Sequence, residues 1–566
     1  MLAAIVILIG AVVVSKVLRH MLAVVVMSMA VVFAFAIAPG TARAADTGAI
    51  TVDGTVATRY DAYQLFSATV VDDADADQKV ATDVAWTNDT VRQATLPVFH
   101  DAGLDSSAST VQEAAEWMNA DGHMSTALAA KLARAICNAG APSVALNADT
   151  AAELPCGYWL IVADDEAISQ DEAGTAPIMA LVGGSAVTVK PKAATPKVQK
   201  HVLEDSTAAW GKAADATVAD DLYWRLSATV PAGLSAYDTY AVQFVDTMSA
   251  GLDPSKVAAS MHVYLAAGAD GGFDAVTTGK DGRAGSKPTK GWTDITTQCA
   301  TKVAADGTFT VRTGDLIAAL GGADAFTSGA RVVAVYNAPL SSGCNHGIAK
   351  GNPNEVYLRY PRSPLADQSG EVGFTRTPSD DATAYTWDLV LTKRGSDGDK
   401  PLSGAVLSIT DDRGRTLAAD GTWDAEGKAT VTTGEDGRVT VSGVDSGKLE
   451  VRELKAPKGY TSFEGTRCVT VKAEGLDVDQ VAAAKPKLTV TAESPLRADG
   501  ADGSTGSLEA SLINTPTGTP PSITTGGFMP STGDMAMYAA AAAAVAGAAL
   551  IVVALLVKRG GGSHKE

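Results

Sequence analysis

Alternation of apolar and polar residues along most of the chain predicts β-strands. Stretches such as AITVDGTV, YDAYQLFSATV and TWDLVLTKRG repeat with a period of two, the spacing of side chains on one face of a strand. Turn signals separate these stretches every 8–12 residues, which is typical of β-sandwiches. The stretch STVQEAAEWMNADGHMSTALAAKLARAICNAG instead predicts helix. We therefore expect a mostly β chain whose first domain carries a helical insertion.

Two long apolar runs stand near the N-terminus, at residues 2–14 and 22–37. The second run has a basic prelude and a small-residue exit, ARA, which predicts a secretory signal peptide over residues 1–45. The extra first run leaves either Met1 or Met21 as the start of translation. An N-terminal membrane anchor is the alternative interpretation.

A third apolar run, residues 535–557, is long enough to cross a bilayer and is followed by a short basic tail. A five-residue motif precedes it: Met529, Pro530, Ser531, Thr532 and Gly533. The three parts together resemble the sorting signal of sortase substrates, L-P-x-T-G, with Met in place of Leu. The resemblance implies that a sortase cysteine attacks the carbonyl of Thr532 and releases Gly533. The product would be attached to peptidoglycan after transient retention in the membrane.

Composition narrows the function classes. The formal net charge is −19 and the pI is near 4.8, which disfavours nucleic acid as a partner and fits an exported protein. No Cys-x-x-Cys or paired-histidine spacing suggests a metal, so we expect neither a metal nor a cofactor. No convincing Ser/His/Asp, Cys/His or paired-carboxylate motif supports a wall-anchored hydrolase.

The chain between the two ends is long enough for about three domains. A Pro/Ala linker, KPKAATP, and a Thr/Pro/Gly spacer, TPTGTPPSITTGG, provide boundaries. The expected order is a signal peptide (1–45), an N-terminal domain (46–190), a middle domain (191–383), a C-terminal domain (384–516), a spacer (517–528) and the sorting signal (529–566).

Five cysteines occur in a chain expected outside the membrane, where disulfides form. Proximity in sequence favours Cys137 with Cys156 and Cys299 with Cys344, which leaves Cys468 unpaired.

Three polar residues stand at inward-facing positions of apolar strands in the C-terminal part. Alternation places Lys393 in line with Leu391, Glu453 in line with Val451, and Asn514 in line with Leu512. Burial favours a neutral lysine and a protonated glutamic acid, and a neutral lysine is a nucleophile. Attack on the Asn514 carboxamide, with Glu453 moving protons, would release ammonia and leave a Lys–Asn isopeptide bond. A buried salt bridge or a lysine at the rim is the alternative.

The sequence here resembles Gram-positive pilins. LEVRELKAPKGY is similar to their E-box, Y-x-L-x-E-x-x-A-P-x-G-Y, and WDLVLTKRGSDGDKPLSGAVLSI is similar to the opening of a collagen-adhesin B-type (Cna-B) domain. The resemblance implies tandem immunoglobulin-like or Cna-B-type β-sandwiches, with autocatalytic isopeptide bonds in the middle and C-terminal domains. The upstream segment resembles the middle domain of backbone pilins. By analogy, Lys200 and Asn354 would form its crosslink with Asp246 as the carboxylate, and Asn337 is the rival acceptor.

The linker resembles the V-x-V-Y-P-K-N segment whose lysine joins backbone pilins to the next subunit. In VTVKPKA the matching lysine is Lys192, while Lys190 replaces the tyrosine and Ala193 the asparagine. Alternation leaves Lys192 exposed, on the same face as Lys190. An ordinary solvated linker lysine is the alternative.

These expectations describe the shaft subunit of a covalent surface pilus, not an enzyme with turnover. Its implied partners are pilin-class and housekeeping sortases, other copies of the chain, peptidoglycan and host surface ligands. An accessory or tip pilin, or a single wall-anchored adhesin, would use Thr532 without Lys192.

Overall fold

The computed structural model describes residues 46–73, 78–120, 122–169, 172–268, 291–370, 372–476 and 486–518. Within these ranges the chain is mostly β, as predicted. No helix in them is long and apolar enough to cross a membrane. The predicted signal peptide, spacer, sorting motif and C-terminal apolar run lie outside these ranges, apart from residues 517 and 518 of the spacer.

In the part that the structure describes, the N-terminal segment contains eight strands and three longer helices. The strands are β1 (Thr47–Val52), β2 (Arg59–Asp73), β3 (Gln78–Trp86), β4 (Val144–Asn147), β5 (Ala152–Pro155), β6 (Gly157–Ala163), β7 (Ile178–Val182) and β8 (Val187–Val189). The helices are α1 (Asp89–Asp101), α2 (Val111–Asn119) and α3 (Thr126–Asn138). The helices follow β3, so the predicted helical insertion is confirmed.

Strand β6 shows why this segment has two cores. Its side chains alternate, so Trp159 and Ile161 pack toward the small β5-β1-β8 sheet. Tyr158 and Leu160 pack on the opposite face, against the helices. Burial on both faces explains why GYWLIVA is apolar without interruption.

The described residues of the middle segment form thirteen strands in two facing sheets. They are β9 (Val198–Glu204), β10 (Ala209–Gly211), β11 (Ala213–Asp215), β12 (Tyr223–Thr229), β13 (Gln243–Met248), β14 (His262–Ala266), β15 (Trp292–Asp294), β16 (Ala300–Val303), β17 (Thr308–Arg312), β18 (Arg331–Asn337), β19 (Asn352–Pro361), β20 (Phe374–Arg376) and β21 (Asp380–Tyr385). Two short helices, α4 (Val257–Ser260) and α5 (Leu316–Ala319), lie in the connections. One sheet has the order β10-β9-β12-β18-β14-β15, and the other β11-β21-β19-β13-β17-β16, with β20 beside β19. A single core lies between them.

Over its described residues, the C-terminal segment contains twelve strands, also in two sheets around one core. They are β22 (Trp387–Gly395), β23 (Val406–Thr410), β24 (Thr416–Leu417), β25 (Trp423–Asp424), β26 (Val431–Thr432), β27 (Arg438–Val444), β28 (Gly447–Lys455), β29 (Tyr460–Thr461), β30 (Thr466–Glu474), β31 (Lys487–Ala492), β32 (Leu496–Asp502) and β33 (Ser507–Pro516). The first and last strands, β22 and β33, are parallel neighbours.

Polar contacts join the middle and C-terminal segments. Trp387 Nε1 donates to the carboxylate of Asp215, and His346 Nδ1 lies 2.8 Å from the carboxylate of Asp388. Arg415 Nη1 lies 2.6 Å from Asp220 Oδ1. The two segments are therefore held together by specific side chains on both sides of Thr386, which separates β21 from β22.

The predicted disulfides are wrong in this structure, where all five cysteines are free. Cys137 is exposed at the end of α3, whereas Cys156 is buried beside Gly183. The Cys299 thiol donates to the Ile295 carbonyl at 3.3 Å, and Cys344 lies in the turn after β18. Proximity in sequence therefore did not bring the sulfur atoms within bonding distance.

Candidate crosslinking sites

Three strands of the C-terminal segment bring Lys393, Glu453 and Asn514 together. Lys393 on β22 and Asn514 on β33 belong to neighbouring parallel strands of one sheet, in which Lys393 pairs with Leu512 and Gly395 with Asn514. Glu453 lies on β28 in the facing sheet. All three residues are buried, so the inward positions predicted from alternation are confirmed.

The contacts within this cluster centre on Glu453. Asn514 Nδ2 donates to both carboxylate oxygens of Glu453, at 2.9 and 3.0 Å. Lys393 Nζ lies 3.5 Å from Glu453 Oε1 and donates to the carbonyl oxygen of Leu512 at 3.2 Å. Glu453 is therefore in contact with both the amine and the amide nitrogen.

Burial changes the chemistry of Lys393. Removal from water disfavours the ammonium and, against the opposing attraction of Glu453, lowers the pKa of Lys393 to about 8. A lysine with such a pKa has a substantial neutral fraction near neutral pH, and the neutral amine is the nucleophilic form. Asn514 Oδ1 is buried with no hydrogen-bond partner in the described parts of the chain.

The middle segment holds a second cluster with a different layout. Lys200 lies on β9 in one sheet, while Asp246 on β13 and Asn354 on β19 lie in the facing sheet. The three residues are each 0% exposed. In this cluster the lysine and the asparagine face each other across the core instead of sharing a sheet.

A tyrosine joins the middle cluster. Lys200 Nζ donates to Asp246 Oδ2 in a short hydrogen bond and to the Tyr336 hydroxyl at 2.9 Å. The Tyr336 hydroxyl donates to Asp246 Oδ2 at 3.1 Å and accepts from Asn354 Nδ2 at 2.9 Å. Tyr336 therefore touches all three predicted residues.

Complete burial sets the proton affinities of this cluster. It lowers the pKa of Lys200 to about 8, although Asp246 acts in the opposite direction. Burial also raises the pKa of Asp246 above its ordinary value, and Lys200 opposes that change. Both shifts favour the neutral pair of an amine and a carboxylic acid over the ion pair.

The structure separates the two candidate acceptors of Lys200. Asn337 follows Tyr336 on β18, so its side chain points to the other face of the strand. Its Nδ2 donates to Asp221 Oδ1 at 2.6 Å, and its Oδ1 accepts from the Leu222 amide at 3.1 Å. The geometry favours Asn354 as the acceptor. The sequence analysis missed Tyr336, although the same alternation in RVVAVYN places it inward.

A second buried lysine supports the β9 backbone. Lys212 Nζ donates to the carbonyl oxygen of Lys200 at 2.7 Å and pairs with Asp380. Asp380 Oδ2 in turn accepts from the Lys200 amide at 2.7 Å. Both main-chain polar groups of Lys200 are thus bound by charged side chains.

The predicted intersubunit lysine lies outside both clusters. Lys192 is exposed, as alternation predicted, and so is Lys190. Both line an open groove of about 310 Å³ between the N-terminal and middle segments, together with Thr126, Tyr237 and Pro364. Thr532, the predicted partner of Lys192, and the other sorting-motif residues lie beyond the described residues. Across the described ranges, no group of three or more His, Cys, Asp or Glu residues is arranged to hold a metal ion.

These features define a class of protein: a multi-segment β protein with a buried lysine–carboxylate–asparagine cluster in each of two successive segments. Residues 388–485 match the family described as SpaA: Prealbumin-like fold domain.

A curated relative agrees with the family match. The trypsin-resistant surface T6 protein of Streptococcus pyogenes serotype M6 is 29% identical over 120 residues, which are 20% of this chain and 20% of the relative. The chain thus matches about a fifth of that relative's length.

Solved structures show weaker similarity over more of the chain. The T6 backbone pilin of S. pyogenes serotype M6 is 15% identical, with a TM-score of 0.46 over 84% of this chain and 99% of that one. The major pilin SpaD of Corynebacterium diphtheriae is 14% identical, with a TM-score of 0.40 over 83% and 98%. The resemblance to Gram-positive pilins stated from the sequence is confirmed by the family match over residues 388–485.

Proposed function

We propose that this chain is the shaft subunit of a covalently polymerised surface pilus. The observation that carries the proposal is the pair of buried lysine–carboxylate–asparagine clusters in successive segments. The exposed Lys192 upstream of both clusters supports it. The proposed domains are residues 46–190, 191–383 and 384–516, the last of Cna-B type.

The first chemical step of the proposal is internal crosslinking. The neutral amine of Lys393 attacks Cγ of Asn514, a new C–N bond forms, and the C–Nδ2 bond breaks. Glu453, in contact with both nitrogens, takes one proton from Nζ and delivers one to Nδ2, which leaves as ammonia. Lys200 and Asn354 react in the same sense, with Asp246 as the carboxylate.

The positions of the C-terminal pair suit a subunit under tension. Lys393 and Asn514 lie on the first and last strands of the segment. A bond between them carries load directly from one strand to the other, so residues 394–513 are not pulled. The same bond reduces the entropy of the unfolded chain, which in the loop-closure model stabilises the fold by about 4–5 kcal/mol.

The second step is polymerisation. A pilin sortase cleaves between Thr532 and Gly533 and holds Thr532 as a thioester on its cysteine. The Lys192 amine of the next subunit displaces the thiol and forms an amide with Thr532. Such a head-to-tail contact does not close on itself and therefore yields a fibre. A housekeeping sortase transfers the last subunit to peptidoglycan. In this scheme residues 1–45 direct export and residues 535–557 retain the precursor in the membrane.

A blot of wall extracts on a denaturing gel tests the polymer. Wild-type cells should give a ladder of covalent multimers, Lys192→Ala cells wall-bound monomer only, and Thr532→Ala cells neither. Lys190→Ala is the matched control and should leave the ladder intact. A ladder that depends on Lys190 instead would reassign the acceptor. Monomer alone in wild-type extracts would favour the accessory pilin or the single wall-anchored adhesin.

A further inference from the structure

The Tyr336 hydroxyl occupies a position that neither the sequence motifs nor the family match assigns. It lies 2.9 Å from Lys200 Nζ, the nitrogen that would attack, and 2.9 Å from Asn354 Nδ2, the nitrogen that would leave. It also lies 3.1 Å from Asp246 Oδ2. The side chain is 0% exposed, so bulk water does not compete for these contacts.

The C-terminal cluster shows what the tyrosine replaces. There, both Glu453 oxygens accept from the amide nitrogen of Asn514, so the carboxylate reaches the departing group itself. In the middle segment the hydrogen bond of Asn354 Nδ2 goes to the tyrosine, and Asp246 is bonded to Lys200 and Tyr336. The hydrogen-bonded route from Asp246 to the departing nitrogen therefore runs through Tyr336.

We propose that Tyr336 is a catalytic residue of the middle-segment crosslink and relays the proton from the lysine amine to the departing asparagine nitrogen. This inference rests on the proposed internal crosslinking of Lys200 and Asn354. As Nζ bonds to Cγ of Asn354, the tyrosine hydroxyl gives its proton to Nδ2. It regains one from Nζ, directly or through Asp246. The amine loses one proton, ammonia leaves with it, and both Tyr336 and Asp246 end unchanged.

The surroundings hold the hydroxyl in place for this role. The Tyr336 ring packs edge-on against Phe309, with ring centroids 4.8 Å apart. Lys200 Nζ lies 5.5 Å from the ring centroids of both Tyr336 and Trp224. Tyr336 is fixed by packing and hydrogen-bonded to both nitrogens, so it needs little rearrangement before the reaction. General acid–base catalysis is efficient when the catalytic group is positioned in this way.

The test compares Tyr336→Phe with wild type in time-resolved intact-mass measurements and peptide mapping of freshly synthesised protein. Phenylalanine keeps the ring and removes only the relay. Formation of the Lys200–Asn354 bond should slow by about 10²-fold or more, while the Lys393–Asn514 bond forms at the wild-type rate in the same molecule. Tyr240→Phe is the matched control, because Tyr240 is also buried in this core but packs on Tyr237.

The outcomes separate this inference from the crosslink itself. A wild-type protein without the Lys200–Asn354 bond would refute the crosslink on which the inference rests. An unchanged rate in Tyr336→Phe, with the bond present, would refute the relay alone. The Asn354→Ala variant has no acceptor and cannot form the bond. Comparing it with the double variant Asn354→Ala/Tyr336→Phe therefore measures the effect of Tyr336→Phe on folding alone. If the double variant and Tyr336→Phe are both folded by circular dichroism, slow bond formation reports chemistry.

Discussion

The middle and C-terminal clusters contain the same three kinds of residue in two different arrangements. In the C-terminal segment the lysine and asparagine share a sheet on parallel strands, and the acid lies across the core. In the middle segment the acid and asparagine share a sheet, and the lysine lies across the core. The first layout brings the carboxylate to the amide, and the second inserts Tyr336 between them.

The comparison shows that the same three kinds of residue are brought together in two geometries. Both sites are buried, both lower the pKa of their lysine to about 8, and both leave the amide oxygen of the asparagine without a partner among the described residues. What they share is removal from water, which favours the neutral amine. What differs is the group that accepts the hydrogen bond of the asparagine nitrogen, Glu453 in one cluster and Tyr336 in the other.

The largest expected effect follows from removing the acids. Glu453→Ala and Asp246→Ala should each abolish one crosslink, because the amine and the departing nitrogen lose their proton carrier. Relative to the mass calculated from its own sequence, each single variant should lack one ammonia less than the wild type, and the double variant two less. Each loss of a bond should lower the free energy of unfolding by about 4–5 kcal/mol. Glu450→Ala, an exposed residue on the same strand β28, is the control. Full crosslinking in Glu453→Ala would show that the acid is dispensable.

The two crosslinks should raise the free energy of unfolding by nearly the same amount, although the two clusters are arranged differently. In the loop-closure model, stabilisation depends only weakly on loop length. Asn354→Ala and Asn514→Ala should therefore each lower the free energy of unfolding of their own segment by about 4–5 kcal/mol. The measurement is the unfolding transition of that segment in a guanidinium titration. Each variant should also make its own segment the first cleaved by protease. A difference of more than about 2 kcal/mol would mean that strain in one arrangement outweighs chain entropy.

Removing Lys212, which binds the main chain of Lys200, should have a smaller effect. Lys212→Met removes a buried cation that binds Asp380 and takes a hydrogen bond away from the buried Lys200 carbonyl. We expect a loss of about 2–3 kcal/mol in the stability of the middle segment and slower formation of its crosslink. The C-terminal bond should be unaffected. Lys302→Met, at an exposed position of β16, is the control. Equal stabilities of the two variants would contradict a structural role for Lys212.

The smallest effect should be pH-dependent and lie at the junction between the two segments. The hydrogen bond to Asp388, followed by that to Cys344, raises the pKa of His346 to about 10. Because the folded-state pKa lies above the unfolded value near 6.5, the stabilisation is complete below about pH 6.5 and is lost as pH rises through about 10.

His346→Gln should therefore cost about 1 kcal/mol at pH 6 and little at pH 10.5, measured as the shift in thermal midpoint at each pH. His123→Gln, in the N-terminal segment, is the control for losing an imidazole away from the junction. A cost that is the same at both pH values would mean that His346 acts through packing instead of charge.

The sequence by itself determined much of the chemistry in the two clusters. Strand alternation has a fixed period, so it placed Lys393, Glu453 and Asn514 inward, and likewise Lys200, Asp246 and Asn354. It also left Lys192 at the surface. The mostly β character and the helical insertion followed from the same periodicities, because each depends only on neighbours along the chain.

Only the tertiary structure decided which inward residues meet. The proximity of Tyr336 to Lys200 depends on the pairing of β12 with both β9 and β18, which no local pattern encodes. The cysteine pairing failed for the same reason, since sequence separation does not set the distance between sulfur atoms. Periodicity fixes the direction of a side chain, whereas its partners depend on the order and register of strands far apart in the sequence.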